Sequence, residues 1–130
     1  MSQTTAFRFL THLGRLLLAS LFLLAGLNKI LNPGETAAFM AEAGLRPAEV
    51  LLPLTILLEV GAGVLLALGR KGAAHAAGVL AVFTLATNVV FHQFWQFDGE
   101  FAQLQLSLFF KNVAIAGALL MIASLEWQRP

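Results

Sequence analysis

The sequence predicts an all-α protein, a bundle of four transmembrane helices with a short interfacial helix between helices 1 and 2. Composition gives the first two observations: 58% of the 130 residues are hydrophobic and 12% are charged, whereas soluble domains average roughly 45–50% and about 25%. The third observation is that the apolar residues fall into four stretches, at about 9–31, 50–68, 73–94 and 104–125. Each stretch approaches the roughly 20 residues that a helix needs to cross a bilayer. We interpret residues 1–130 as a single integral membrane domain.

The first apolar stretch is predicted to be a retained helix. Arg8 and Arg15 precede its apolar run, as basic residues precede the run of a signal peptide. Asn28 and Lys29, however, stand where the small residues of a cleavage site would be sought.

The segment between the first two stretches, "NPGETAAFMAEAGLRPAEV", is predicted to contain the short helix. Asn32-Pro33-Gly34 forms a turn at its start, and Gly44 ahead of Pro47 stops it. We expect this helix to lie on the outer membrane surface. In the later stretches, glycines provide the small surfaces at which membrane helices approach closely: Gly61, Gly63, Gly78 and Gly117.

The distribution of basic residues predicts the orientation. They occur near the N-terminus, in the loop between stretches two and three, and after stretch four, whereas the loop at 94–103 carries Asp98 and Glu100 with no Lys or Arg. By the positive-inside rule, the N- and C-termini are cytoplasmic and the first and third loops face outward, with Arg46 as the one basic residue against this orientation.

Polar residues within the apolar stretches mark the candidate site. At about 1.5 Å per residue, Glu59 lies near the midplane and the others lie in the outer half of the membrane. The predicted cluster comprises Asn28, Lys29, Glu59, Asn88, His92, Lys111 and Asn112.

An isolated charge costs at least about 2.5–3.5 kcal/mol at the bilayer centre, so Glu59 requires a partner. Among the outer-half cations Lys111 lies nearest to it in depth and is the predicted partner, whereas Arg15 on the first helix is a rival. The sequence leaves open whether such a pair fixes helix packing or serves a ligand or proton site.

Several kinds of chemistry are not indicated. Cysteine is absent, so this chain cannot carry thiolate or disulfide chemistry. The net charge of +1 does not indicate binding to nucleic acid. His12 and His75 fall near the cytoplasmic ends of their helices, but two histidines in a chain of this length do not require a haem. No metal-ligand spacing and no intrinsic cofactor are indicated, and catalytic residues are not assigned.

Four separated motifs resemble the DoxX family of small four-helix bacterial membrane proteins: "GRLLLASLFLLAGLNKI", "LPLTILLEVGAGVLLALG", "FTLATNVVFHQFW" and "FFKNVAIAGALLMIA". The resemblance runs from about Arg15 to Ala123, and the recurring polar positions of the family correspond to Lys29, Glu59, His92 and Lys111-Asn112. It implies a multi-pass protein of the bacterial cytoplasmic (inner) membrane that is associated with a redox system.

Three functions follow as hypotheses. The first is an outer-facing polar pocket that binds a quinone or a similar lipophilic molecule, with Lys111, His92 and Asn88 as donors and Glu59 exchanging a proton. The second is a non-catalytic membrane scaffold for soluble oxidoreductases, and the third is a small proton-coupled transporter. Redox chemistry would depend on the bound quinone or on a soluble redox enzyme partner, and a homo-oligomer stays open.

Overall fold

The computed structural model describes residues 2–129, and the regular elements in this range are all helices, as the sequence predicts. Four helices are long and apolar enough to cross a membrane. The elements are α1 (Gln3–Leu31), α2 (Pro33–Glu42), α3 (Ala48–Leu68), α4 (Arg70–Phe91) and α5 (Gly99–Trp127), with a short 3-10 turn at Phe94–Gln96. The order of four long helices with one short helix after the first is therefore confirmed.

Local sequence explains several helix ends. The hydroxyl of Ser2 accepts a hydrogen bond from the backbone N–H of Thr5 and caps α1, which consequently starts six residues before the predicted span. Pro33 occupies the first turn of α2, where the missing N–H costs nothing. α4 begins and ends about three residues before the predicted third span of about 73–94, because it runs from Arg70 to Phe91 and the chain turns at His92.

The four long helices form an open ring. α1 packs against α3, α3 against α4, and α4 against α5, whereas α1 and α5 close the ring with little contact. The main core lies between them and consists mostly of small and branched side chains such as Ala19, Leu66, Ala77, Leu80 and Leu119. Alanines on α4 let that helix approach both of its neighbours closely.

The two ends of the bundle differ in structure. The hairpin end carries the tight α3–α4 connection at Gly69, whose φ of +92° suits glycine, together with the C-terminal end of α5. The open end carries α2, which packs on the start of α3 through a second small core containing Met40, Ala48 and Leu52.

Candidate ligand-binding cavity

A cavity of about 820 Å³ opens at the α2 end of the bundle. This volume lies within the range of roughly 300–1,000 Å³ that is usual for small-molecule sites. The walls combine aromatic and aliphatic side chains with a group of polar residues. They are contributed by α1 (Leu21, Phe22, Ala25, Asn28, Lys29), α2 (Glu35, Thr36, Phe39, Met40), the loop residue Leu45, α3 (Leu51, Thr55, Glu59), α4 (Phe83, Thr84, Thr87, Phe91), His92 and α5 (Asn112).

A buried ion pair lies in the cavity wall. Lys29 Nζ is 2.8 Å from Glu59 Oε1, and the two side chains are 23% and 2% exposed. Glu59 lies ten residues before Gly69, which places it about 15 Å from the hairpin end. The carboxylate therefore lies deep in the bundle, and Lys29 reaches it from the end of α1.

A glycine brings the two helices of this pair together. A Cβ atom added at Gly26 would lie 2.5 Å from Val60 Cγ2 and 3.8 Å from Glu59 Cβ. Since glycine carries no Cβ, α1 and α3 can approach closely at this level.

The structure corrects both predicted partners of Glu59. Its partner is Lys29, whereas Arg15 pairs with Glu126 at the hairpin end and Lys111 is exposed on α5, outside the residues that line the cavity. Successive residues of a helix point about 100° apart. On α5 this rotation turns Asn112 toward the cavity and leaves Lys111 exposed outside its wall.

The remaining predicted polar residues form a seam between α4 and α5. Asn88, which is 1% exposed, donates from Nδ2 to the backbone carbonyl of Phe109 at 2.9 Å and accepts from Asn112 Nδ2 at 3.2 Å. His92 Nδ1 lies 2.8 Å from Gln105 Oε1. Asn88 thus lies behind Asn112 rather than in the wall, and both the nitrogen and the oxygen of its side-chain amide already form hydrogen bonds.

The mouth of the cavity is polar as well. Asn28 is exposed there, and its Oδ1 accepts a hydrogen bond from Asn32 Nδ2 at 3.1 Å. Of the seven predicted cluster residues, the structure brings Asn28, Lys29, Glu59, His92 and Asn112 into one wall and leaves Asn88 and Lys111 outside it.

Sequence reasoning missed the four threonines of this wall, Thr36, Thr55, Thr84 and Thr87. The hydroxyls of Thr55 and Thr87 donate to carbonyls of their own helices, the former at 2.9 Å and the latter at 3.2 Å. Thr84 Oγ1 is buried and has no hydrogen-bond partner among residues 2–129. The spacing of Thr84, Thr87 and Asn88 at i, i+3 and i+4 places them on one face of α4 and could have revealed them.

The hydrogen bonds already formed determine which donors of the wall residues stay unused among residues 2–129. Lys29 has three N–H donors, one of which is directed at Glu59. Thr84 contributes a hydroxyl with no partner in the described chain. A ligand that accepts hydrogen bonds would satisfy both groups, because a buried polar group without a partner is costly.

Sequence reasoning also missed a second buried ionic cluster, at the hairpin end. Glu126, fully buried, accepts from Arg15 Nη1 at 2.9 Å, from Arg129 Nη1 at 2.9 Å and from the backbone N–H of Arg70 at 3.0 Å. Arg70 has a backbone φ of +68°, which is uncommon for a residue other than glycine. Glu126 thus ties α1, α5 and the strained α3–α4 turn together.

His12 and His75 belong to different surroundings. His12 Nδ1 lies 2.6 Å from Arg15 Nη2, whereas His75 contacts the backbone carbonyl of Lys71 and the edge of Trp127. Among residues 2–129, no three side chains of His, Asp or Glu converge as metal ligands would.

Four membrane-length helices around a cavity with a buried ion pair define the class, a multi-pass α-helical membrane protein with an intramembrane polar site. The sequence model of the DoxX family matches residues 10–93, and the chain belongs to this family. Two relatives from Escherichia coli strain K12 are similar to it. Inner membrane protein YphA is 30% identical over 85% of this chain and 79% of its own length; for inner membrane protein YqjF the values are 37%, 84% and 78%. No solved structure matches the chain.

These findings confirm the family predicted from the four motifs. They also support placement in the bacterial inner membrane as a multi-pass protein.

Proposed function

We propose that the protein binds a quinone, or a lipophilic molecule with a similar carbonyl-bearing head, in the cavity beneath α2. The observation that carries this proposal is that the Lys29–Glu59 pair and Thr84, whose buried hydroxyl has no partner among residues 2–129, line one cavity whose other walls are largely apolar. Small-molecule sites usually have this character, with a few placed polar groups in an apolar enclosure.

The donors suit the oxygens of a quinone head. Quinone carbonyls accept hydrogen bonds, and Lys29 and Thr84 carry N–H and O–H groups that have no partner among residues 2–129. Glu59 lies within hydrogen-bond distance of Lys29 and can exchange a proton with a group bound beside it. Lys29 and Thr84 therefore take the donor roles that the sequence suggested for Lys111 and Asn88.

The redox association is the second part of the proposal. Its support is the chemistry of a quinone, whose reduction requires electrons as well as protons, together with the redox association that the family resemblance implies. We assign the electron supply to a soluble oxidoreductase partner. Such a partner should be recovered from gently solubilised membranes with the wild-type protein, and recovery that is independent of quinone and of the cavity variants would favour a scaffold instead.

The orientation is also proposed. The hairpin end carries the basic residues Arg8, Arg15, Arg70, Lys71 and Arg129. By the positive-inside rule, we therefore expect the N- and C-termini to face the cytoplasm and the cavity to open outward. Because the chain has no cysteine, single cysteines introduced at Ser2 and at Glu35 can be labelled in intact cells. We expect a membrane-impermeant thiol reagent to label the position in α2 only; labelling of the N-terminal position only would reverse the orientation.

Thr84→Val tests the site with the least disturbance. Valine has a similar shape, and it removes a buried hydroxyl that has no partner in residues 2–129, so the thermal stability of the ligand-free protein should hold or rise. Loss of a hydrogen bond to the ligand should weaken quinone binding by about 3- to 10-fold, the equivalent of about 0.5–1.5 kcal/mol.

The matched control is Thr55→Val, which removes a cavity hydroxyl that already donates within its own helix. Affinity measured by titration of a soluble quinone analogue should change less in this control. Unchanged affinity in Thr84→Val, or no quinone binding by the wild-type protein, would refute the proposed function.

A further inference from the structure

The contact between α1 and α5 is uneven along their length. Near the hairpin end, Arg15 bonds Glu126, and Phe22 of α1 shares the main core with Leu119 of α5. Beyond Phe22 towards the open end, Asn112 is the α5 residue among those that line the cavity. α1 and α5 are therefore in contact at the hairpin end and separated by the cavity at the open end.

Leu21, Ala25 and Asn28 line this parted side. Their spacing of four and three residues places them on one stripe of α1, and all three lie in the cavity wall. Gly26 and Leu23, which meet α3, lie on a different side of the helix. Leu21 belongs to the cavity wall and is 44% exposed. Leu24, on the adjacent strip of α1, is 64% exposed and lies outside the wall, so the cavity wall borders the outer surface of the bundle beside Leu21.

The depth of this opening lies within the membrane span. Leu21 is six residues and Asn28 thirteen residues from Arg15, which corresponds to about 9 and 20 Å from the hairpin end. Glu59 lies at about 15 Å, between these limits. At the open end, by contrast, α2 lies over the cavity and buries Met40 to 5% exposure. The cavity therefore borders the bilayer on the α1–α5 side, and α2 narrows its polar mouth at the open end, where Asn28 stays exposed.

We propose that this opening is a lateral portal between α1 and α5, through which a membrane-resident amphiphile enters with its polar head leading and leaves its apolar tail between the two helices. The inference rests on the proposed function and deepens it by naming the class of ligand. A ligand that lives in the bilayer can use an opening at this depth, and a tail lying there contacts Leu21 and the surrounding lipid while its head reaches Lys29 and Thr84.

The first part of the test concerns the portal alone. Ala25→Cys and Leu24→Cys each introduce a single thiol for a small fluorophore, because the chain has no cysteine. Leu24 is 64% exposed and is not in the cavity wall, so it reports ordinary contact with lipid. In vesicles containing lipids with a quencher on the acyl chain, we expect both positions to be quenched. Adding Leu21→Trp should reduce quenching at position 25 only, and a position 25 that is shielded from the start would overturn the portal.

The second part concerns the tail. A benzoquinone with a decyl tail and one without it are titrated against the wild-type protein, Leu21→Trp and Leu24→Trp. Leu21→Trp should weaken binding of the tailed analogue by at least about tenfold, the equivalent of about 1.4 kcal/mol, and change the tailless analogue much less. Leu24→Trp, the matched control on the same helix, should change neither.

Equal effects of Leu21→Trp on the two analogues, or no effect on either, would overturn the portal as the route of the ligand. If neither analogue binds the wild-type protein, the proposed function fails and the assignment of an amphiphilic ligand falls with it. Quenching at position 25 then decides by itself whether the opening exists.

Discussion

Glu126→Gln should strongly destabilise the fold. The carboxylate is fully buried and receives hydrogen bonds from Arg15, Arg129 and the backbone N–H of Arg70. Glutamine keeps the shape and one acceptor oxygen but removes the charge. Arg15, which is 3% exposed, would stay positively charged, because a guanidinium does not deprotonate in proteins.

The two ion pairs contribute unequally to the expected magnitude. Arg129 is 44% exposed, so its pair contributes about 0–1 kcal/mol after screening by solvent. The buried Arg15 pair dominates, and breaking such a pair by removing one partner costs about 3–5 kcal/mol. We therefore expect Glu126→Gln to lower the free energy of unfolding by about 3–5 kcal/mol.

Equilibrium unfolding in mixed micelles, followed by circular dichroism, measures this change. Glu49→Gln is the matched control, since Glu49 is exposed in the first turn of α3, and its effect should stay within about 0.5 kcal/mol. A loss below about 1 kcal/mol in Glu126→Gln would refute the reasoning, because it would place this pair in the range of exposed salt bridges.

Three further predictions concern stability. Lys29→Met leaves its buried carboxylate partner unpaired and should cost about 3 kcal/mol or more in the same unfolding assay, whereas Lys111→Met should stay within about 0.5 kcal/mol; equal costs would contradict the assigned pairing. Gly26→Ala should destabilise by about 1–3 kcal/mol through overpacking against α3, whereas Gly61→Ala, with open space around the added Cβ, should be neutral or stabilising; melting temperatures in the reverse order would refute the close approach. Asn88→Leu removes two hydrogen bonds between α4 and α5 and should cost about 1–3 kcal/mol, and faster amide exchange in α4 and α5 should accompany it; an unchanged unfolding curve would count against the seam.

The sequence was sufficient for the architecture because the signal is strong. Four apolar stretches of membrane length, a turn at Asn32-Pro33-Gly34 and a stop at Gly44 predict the helices that the structure contains. The ends were predicted less well. α1 and α5 continue past their predicted spans, since polar residues such as Gln3 and Glu126 remain helical beyond the apolar stretch.

That end effect explains why Glu126 was missed. The fourth span was predicted to end at about Leu125, which left Glu126 just outside it. In the structure the helix continues to Trp127 and turns the carboxylate inward to Arg15. An acidic residue one position beyond a predicted span is therefore a candidate partner for a basic residue at the same end of another helix.

The pairing of Glu59 shows a second limit. Depth along a helix can be read from residue numbers, and it correctly placed Glu59 far from both helix ends. Depth does not give the rotation of a helix about its axis, which turns Asn112 toward the cavity and Lys111 away from it. It also omits the reach of a long side chain, by which Lys29 contacts a carboxylate deeper in the bundle.

The central claim is that the cavity holds a lipophilic ligand through Lys29, Glu59 and Thr84. Mass spectrometry of the small molecules that co-purify in mild detergent tests it most directly, with wild-type protein compared with folded Lys29→Met, Glu59→Gln and, as the matched control, Lys111→Met. We predict a quinone or another defined lipophile with the wild type and Lys111→Met that is lost from Lys29→Met and Glu59→Gln. The same set of molecules in all four proteins would contradict the claim and leave the ion pair a role in helix packing alone.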